Sequence, residues 1–268
     1  MPSRASRALA LIAALTLSAC ATRPTDPAAL RAYEETNDKW EPLNRTMFDV
    51  DQALDAALIR PVAWTYRKVT PEPVRDGVSN ALTNIRSPVV FLNDLLQGQG
   101  TRAAITIARF VVNSTLGIGG LFDVAKRMGT PGHGEDFGQT LAVWGVGDGT
   151  FLYLPLLGPT SVRDGFGLGV DAFAFDPFSW YSYNPHNNQS VQWYLLGAQL
   201  VDAKSSTMAT TDELKKSSID YYAALRSAYR QYRAREIRNG APAPAGSMPA
   251  FDDEEGDPFA PEKPQAPK

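Results

Sequence analysis

The sequence predicts a mostly helical protein with little or no β-sheet. Apolar residues recur at steps of three and four along residues 42–59 and 212–238, which is the period of an amphipathic helix. Segment 101–116 also has helical spacing, with one narrow polar stripe on an otherwise apolar surface. Only residues 151–157 indicate a short extended piece, after a glycine-rich turn. Helices are therefore expected to form nearly all of the fold.

Prolines and aromatic residues mark the ends and the packing faces of these helices. The prolines that follow the first helix are expected to break the next region into short helices, because proline disfavours helix at the residue before it. They are Pro61, Pro71, Pro73 and Pro88. The last helix carries an aromatic stripe that we expect to pack into the core. That stripe comprises Tyr222, Leu225, Tyr229 and Tyr232.

The N-terminus resembles the signal of a bacterial lipoprotein. Residues 1–19 contain Arg4 and Arg7, then twelve residues without charge that end in small side chains. Twelve residues make about 18 Å of helix, which is short of the roughly 30 Å hydrocarbon core of a membrane. We therefore expect a cleaved signal peptide. Residues 17–20 read LSAC and resemble the lipobox, in which the cysteine receives diacylglyceryl and N-acyl lipid; an incidental cysteine is the alternative.

Cys20 is the only cysteine, so no internal disulfide is expected and the core must be stable by packing alone. Each long acyl chain on this residue is expected to contribute on the order of 10 kcal/mol of membrane affinity. Residues 20–39 are the predicted lipidated N-terminus and tether. Ala21 follows the cysteine, which is similar to the pattern of outer-membrane lipoproteins.

The rest of the chain divides into one domain and a tail. Residues 40–240 are long enough for one helical domain with its own core. Residues 241–268 are rich in proline, alanine and acidic side chains, and we expect them to be disordered. Without the signal peptide, 24 basic and 29 acidic residues leave a net charge of −5. Nucleic acid is therefore not an expected partner.

The polar stripe of segment 101–116 is the first candidate site. It comprises Arg102, Thr106, Arg109 and Asn113. A helix of this kind suits apolar surroundings with its stripe facing a polar space, and the alternative is a core helix whose stripe touches solvent. The two arginines are expected to face water or phosphate, or else to pair with Asp94 or Asp123. Arginine content and length argue against a transmembrane span.

A glycine-rich loop, GIGGLFD at residues 117–123, follows this helix and is the second candidate site. Three glycines in four residues permit positive φ and close backbone approach, as in a buried turn. The interpretation we favour is a mobile rim that exposes two apolar side chains. Its candidate residues are Gly117, Gly119, Gly120, Leu121 and Phe122.

Catalytic motifs are scarce, so an enzyme is not expected. The two histidines, His133 and His186, are far apart, and the HGED motif at residues 133–136 lacks the spacing of a metal site. The sequence has no G-x-S-x-G nucleophile elbow and no phosphate-binding loop. We expect no metal and no cofactor, apart from the covalent lipid at Cys20.

An ordered set of short motifs resembles the MlaA (VacJ) lipoproteins. They are EPLNRTMF at 41–48, RPVA at 60–63, VRDGVSN at 74–80, LLQG at 95–98, RFVVN at 109–113, GIGGLFD at 117–123, DFGQTL at 136–141, LPLLGP at 154–159 and RD at 163–164. The resemblance covers about residues 37–180. Lys39 and Thr150 stand where the family pattern has proline, and we expect only small changes in local turns there.

The resemblance implies a fold, a location and an activity. The fold is a ring-like bundle of short amphipathic helices around an amphipathic central channel. The protein would lie in the inner leaflet of the outer membrane of a Gram-negative bacterium, on the periplasmic face, beside an outer-membrane porin trimer. It would pass phospholipids removed from the outer leaflet to a periplasmic lipid carrier protein and so maintain lipid asymmetry.

Under this resemblance, the polar stripe of segment 101–116 would line the channel and the glycine-rich loop would form its rim. Two other functions remain open. One is a structural envelope lipoprotein that acts as an adaptor without lipid transport. The other is a lipid hydrolase, which has less support because no nucleophile is activated by its sequence neighbours.

The lipobox predicts that Cys20→Ser leaves an unprocessed precursor without acyl chains, because the hydroxyl does not replace the thiol as the acceptor of the lipid. Mass spectrometry of the N-terminus of both proteins measures this directly. An unmodified Cys20 in the wild-type membrane fraction would contradict the prediction.

Overall fold

The computed structural model describes residues 38–241, apart from 185, 186 and 189. The signal peptide, Cys20, the tether up to residue 37 and the tail from residue 242 lie outside the described residues, and their assignments stay predictions. Within the described part, helices dominate and the only sheet is a two-stranded hairpin. The predicted mostly helical class is confirmed.

The described elements follow one another with short connections. The helices are α1 (Glu41–Leu54), α2 (Arg60–Val69), α3 (Glu72–Leu96), α4 (Gly100–Thr115), α5 (Val124–Arg127), α6 (Phe137–Val143), α7 (Val162–Val170), α8 (Pro177–Tyr183), α9 (Val191–Ser217) and α10 (Tyr221–Ile237). Strands β1 (Phe151–Leu154) and β2 (Gly158–Ser161) pair antiparallel, with Phe151 opposite Ser161. Two wide π-helical turns, Asp55–Ile59 and Asp171–Phe175, continue α1 and α7.

The prediction that prolines divide the region after the first helix into short helices was wrong at Pro88. Pro88 lies inside α3, which is 25 residues long, and Pro61 lies in the first turn of α2. A proline in the first turn is tolerated because its missing N–H has no partner there. Within α3 the helix continues past Pro88 because its length packs against α4 and α9. Pro71 and Pro73 do mark a helix start, at α3.

The predicted helix at residues 212–238 is in fact two helices. α9 extends over 27 residues and ends at Ser217, and α10 begins after Asp220. The Asp220 carboxylate accepts a hydrogen bond from the Ala223 N–H at 3.1 Å and caps the new helix. The beginning of α9 was not predicted, because its apolar residues are spread around the helix and give no clear stripe.

A small aromatic core joins the hairpin to the first and last helices. Phe151 and Tyr153 of β1 are buried with Tyr222 and Leu225 of α10. Phe48 of α1 meets the ring of Tyr153 edge-on, with ring centroids 5.4 Å apart. Of the predicted stripe of the last helix, Tyr222 and Leu225 are thus buried in the core and Tyr229 packs against it, whereas Tyr232 is not part of this cluster.

Asn44 connects α1 to the hairpin inside this core. Its side chain is 1% exposed. The amide donates to the Phe151 carbonyl at 2.9 Å and to Asp38 at 2.8 Å, and its oxygen accepts from the Tyr153 N–H at 3.0 Å. Because every hydrogen-bonding group of a buried amide needs a partner, this residue fixes the position of the strand against the helix.

Much of the interior is polar. Among the described residues, buried polar and charged residues outnumber buried apolar ones by 18 to 11. Large apolar side chains are instead exposed on many elements, for example Trp64 of α2, Phe166 of α7 and Trp193 of α9. No helix in the described part combines the length and apolar character needed to cross a bilayer. Exposed apolar side chains are thus distributed over several helices.

Candidate functional site

The polar stripe of α4 faces the protein interior. Thr106 and Asn113 are each 6% exposed, while Ile107 and Val111 on the other side of the helix are 43% and 53% exposed. An ordinary surface helix has the opposite arrangement. The side chains of Arg102 and Arg109 are 26% and 12% exposed, so part of the stripe still reaches solvent and the core-helix alternative stays open. Whether it lines a channel stays a prediction.

Arg109 and Asn113 form the C-terminal part of the stripe, and both bind Asp123. Arg109 Nη2 contacts the two carboxylate oxygens of Asp123 at 2.9 and 3.0 Å, and Nη1 donates to the Thr130 carbonyl. Asn113 Nδ2 donates to Asp123 at 3.0 Å, and its oxygen accepts from the Ala125 N–H. The stripe thus anchors the start of α5.

The Asp123 carboxylate is held in its charged form. Burial alone would raise its pKa, but hydrogen bonds from Arg109, from the Lys126 N–H and from Asn113 together lower the pKa below its ordinary value. The Lys126 contact also makes Asp123 the N-cap of α5.

Arg102 and Thr106, one helical turn apart, bind a second pair of carboxylates. Arg102 Nη2 lies 2.6 Å from Glu135, and its Nε lies 3.7 Å from Asp94. Asp94 is fully buried and accepts from the Thr106 hydroxyl at 2.6 Å. His133 Nε2 lies 3.0 Å from the same carboxylate. The geometry therefore fits the alternative in which the two arginines pair with Asp94 and Asp123.

Glu135 also belongs to this cluster, although only Asp94 and Asp123 were predicted as possible partners of the two arginines. Its motif, residues 133–136, was considered from the sequence only as a possible set of metal ligands. The structure uses His133 and Glu135 instead as partners of Asp94 and Arg102. Burial is the main influence on Glu135 and raises its pKa.

A chain of amide and hydroxyl groups continues from Glu135 towards α7. Gln97 Nε2 donates to Glu135 at 2.8 Å and to the Thr140 hydroxyl at 3.2 Å. The Thr140 hydroxyl donates to Asn93 at 2.7 Å, and Asn93 Nδ2 donates to Asp171 at 2.9 Å. α3 thus shares one polar interior with α4, α6 and the turn after α7.

Asp171 begins the π-helical turn Asp171–Phe175 at the end of this chain. Its carboxylate accepts from the Phe137 N–H at 2.9 Å and is 5% exposed. Burial is the largest influence and raises the pKa of Asp171 to about 6. No arginine or lysine is hydrogen-bonded to it among the contacts of the described chain.

A second charged cluster ties the last helix to this interior. Both Nη atoms of Arg233 lie 2.6 Å from Asp136, and its Nε lies 3.0 Å from Asp164. Burial would raise the pKa of Asp164, but the contacts with Arg163, Arg233 and Tyr229 lower it to about 2. α10 is thereby fixed to the starts of α6 and α7.

The glycine-rich loop packs closely against its neighbours. Gly119 and Gly120 have φ values of 69° and 94°, which favour glycine. A Cβ on Gly120 would lie 2.5 Å from the Cβ of Asn84, and one on Gly117 would lie 2.3 Å from the Phe122 carbonyl oxygen. Leu121 and Phe122 are exposed. The glycines therefore serve a tight turn, and mobility of the rim stays a prediction.

Comparison with known proteins gives consistent matches over most of the chain. A family model described as MlaA lipoprotein matches residues 36–236. The intermembrane phospholipid transport system lipoprotein MlaA of Escherichia coli strain K12 is 36% identical over 235 residues, covering 84% of this chain and 85% of that protein. The Haemophilus influenzae protein of the same name is 30% identical, covering 86% and 90%.

Two further matches extend the comparison. An uncharacterized protein of Rickettsia prowazekii is 34% identical over 202 residues, covering 75% of this chain and 78% of that protein. A solved structure, described as the structural basis for maintenance of bacterial outer membrane lipid asymmetry, has a TM-score of 0.63 and 32% identity. The match covers 76% of this chain and 99% of that structure.

Removal of the Arg109 charge is expected to destabilise the fold. Arg109→Gln leaves the Asp123 carboxylate in a largely buried position without its guanidinium, which we expect to cost about 2 kcal/mol. Thermal unfolding in detergent measures the loss, and Arg127→Gln, which removes an exposed charge from α5, is the control. Unchanged stability combined with slower lipid transfer would contradict a bracing role and favour channel lining.

Gly120→Ala is expected to destabilise the protein more than Gly119→Ala. Both positions have positive φ, which costs a non-glycine residue roughly 1–2 kcal/mol. Only the new methyl group at residue 120 meets Asn84, and overpacking adds about 1–3 kcal/mol. Equal losses of unfolding free energy in the two variants would show that the loop moves freely away from α3.

Asp171 is expected to make stability depend on pH. Because its pKa is raised to about 6, the folded state binds a proton more tightly than the unfolded state, and this stabilisation is lost as pH rises through 6. Relative to Asp171→Asn, the wild type should gain about 1 kcal/mol between pH 7 and pH 5. Denaturant unfolding of both proteins at the two pH values tests this, and a constant difference would refute it.

Proposed function

Because the chain belongs to the MlaA lipoprotein family, we propose that it is an envelope lipoprotein that moves phospholipids between membranes. In this proposal it is anchored through acyl chains on Cys20 to the periplasmic face of the outer membrane. It takes phospholipid that has reached the outer leaflet and passes it through an amphipathic channel to a periplasmic carrier protein. An outer-membrane porin trimer is the proposed neighbour.

The inverted polarity of α4 is the observation that carries this proposal. Its exposed side is apolar, and its polar stripe faces other polar groups inside the protein. A phospholipid combines a charged headgroup with apolar tails, and charged groups are costly in hydrocarbon. A polar interior beneath an apolar exterior supports a route on which the headgroup passes through protein while the surrounding helices contact lipid tails.

The ion pairs of Arg102 and Arg109 inside the protein suit a route along which phospholipid moves better than a site that retains it. Arg102 and Arg109 already have carboxylate partners, so an incoming phosphate does not meet an unpaired guanidinium on α4. Paired charges keep this interior polar without holding the headgroup on α4 itself.

Transfer of labelled phospholipid tests the proposal. The lipidated full-length protein is placed in vesicles of phosphatidylethanolamine and phosphatidylglycerol, and delivery to a soluble periplasmic carrier is measured over time. We expect delivery of intact lipid that depends on the protein. An adaptor would deliver none, and a hydrolase would produce lysolipid or fatty acid, which mass spectrometry of the products detects.

Two variants connect the transfer to the loop after α4. Phe122→Asn changes an exposed apolar residue of the candidate rim, and Met128→Asn changes an exposed apolar residue beyond α5. Both should leave folding intact because neither side chain is buried. We expect slower transfer for the first variant only; equal rates would remove the loop from the proposed route.

A further inference from the structure

A cleft of about 210 Å³ lies where α10 passes the start of α7 and the loop before β1. Three arginines and two aspartates line it, and the remaining lining residues are Ser161, Tyr229, Ala234 and Ile237. The charged residues are Asp148, Arg163, Asp164, Arg230 and Arg233. Both signs of charge therefore meet in one small space, which favours a ligand that carries both signs.

Two of these charges are paired within the protein. Asp164 accepts from Arg163 Nε at 2.8 Å, from the Tyr229 hydroxyl at 2.6 Å and from Arg233 at 3.0 Å. Arg233 divides all three of its nitrogens between Asp164 and Asp136. This pair forms the fixed wall of the cleft, with four of the five N–H groups of Arg233 bound to carboxylates.

The other charges of the cleft keep free hydrogen-bonding groups. Arg163 is 8% exposed; its Nε binds Asp164 and its Nη1 lies 3.4 Å from the Val146 carbonyl. Within the described chain no contact involves its Nη2. The guanidinium of Arg230 and the carboxylate of Asp148 likewise have no hydrogen bond or ion pair with another described residue.

Backbone contacts hold these groups in place. The Arg163 N–H donates to the Asp148 carbonyl at 3.1 Å, which fixes the loop before β1 against the start of α7. The Nη2 of Arg163 is not one of the buried donors that lack a partner, so this nitrogen is accessible from the cleft. Asp148 and Arg163 are thus held beside one another without their side chains pairing, and the cleft stays available for a ligand.

Apolar side chains are exposed beside the cleft. Val162 directly precedes Arg163, Val146 supplies the carbonyl that Arg163 contacts, and Phe166 lies one turn further along α7. All three are more than 40% exposed. A ligand with a zwitterionic headgroup and apolar tails could therefore place its headgroup in the cleft and its tails against these side chains.

We propose that this cleft binds the phosphoethanolamine headgroup of a phospholipid, with Arg163 and Arg230 on the phosphate and Asp148 on the ammonium. Guanidinium groups suit phosphate because their donors match two of its oxygens at once. The carboxylate adds specificity, since a headgroup without a cation leaves it unpaired. This inference rests on the proposed function and names the lipid class that the route selects.

Binding of short-chain lipids to the full-length protein in detergent tests the assignment. Isothermal titration calorimetry is carried out with dihexanoyl phosphatidylethanolamine, dihexanoyl phosphatidylglycerol and inorganic phosphate as separate probes. The wild type should bind the ethanolamine lipid about tenfold more tightly than the glycerol lipid, as expected for one additional charge-assisted contact. Inorganic phosphate should bind more weakly than either.

Two substitutions test the ammonium contact and the phosphate contact of the headgroup separately. Asp148→Asn should weaken binding of the ethanolamine lipid about tenfold and leave the glycerol lipid unchanged, because only the former has an ammonium group. Arg230→Gln should weaken both lipids alike, because they share the phosphate. Asp49→Asn and Arg127→Gln, which change exposed charges away from the cleft, are the matched controls and should bind as the wild type does.

Contrary results are equally clear. Equal affinity of the wild type for the two lipids, no binding of either, or equal effects of Asp148→Asn on both would overturn the headgroup assignment. Phosphate that binds as tightly as the lipids would reduce the cleft to an anion site. If Asp148→Asn does not fold, Asp148→Ser provides the same comparison. The proposed function is tested separately, by delivery of phospholipid from the wild type to the carrier. If this delivery occurs, any of the results above overturns only the headgroup assignment; if it does not occur, the proposed function itself is refuted.

Discussion

The pairing of arginine with aspartate inside the protein is the interaction on which the rest of the structure depends. Arg233 joins α10 to the starts of α6 and α7, and Arg109 joins α4 to α5. Neither arrangement uses a large apolar core, and the compact aromatic cluster packs a different part of α10 against the hairpin and α1. Because an isolated charge in a protein interior costs several kcal/mol, each pair limits the positions that its helices adopt. Charge geometry therefore determines how the helices pack.

How much of the fold could be predicted depended on whether a helix has one clear polar or apolar face. Local periodicity located α1 and α4 and the aromatic face of α10, because those helices have one clear polar or apolar stripe. α9 was missed over most of its length because its apolar residues follow no single face. Pro88 was predicted to break a helix but lies inside α3, because the contacts along α3 outweigh one missing backbone hydrogen bond. Tertiary packing overrides the local pattern at both places.

The candidate site was predictable in its residues but only partly in its partners. Helical spacing brought Arg102, Thr106, Arg109 and Asn113 onto one face, and Asp94 and Asp123 were foreseen as possible partners of the arginines. Glu135 was not, because it lies more than thirty residues from Arg102 and no local pattern joins the two. The cleft beside α7 was invisible for the same reason: Asp148 and Arg230 are brought together only by the docking of α10. Sequence spacing reports contacts within a helix, whereas contacts between distant segments depend on the finished fold.

The exposed apolar side chains of α2, α4, α7 and α9 have a consequence for when the protein completes its folding. In water, each large apolar side chain left outside forgoes roughly 1.5–3 kcal/mol that burial would provide. The internal ion pairs are in turn weakened wherever water enters and strengthened where it is excluded. Both effects make the native arrangement more favourable against hydrocarbon than in an aqueous compartment. Under the proposed function, the chain would reach its most stable state only at the bilayer, and before that its exposed apolar helices would be prone to aggregation.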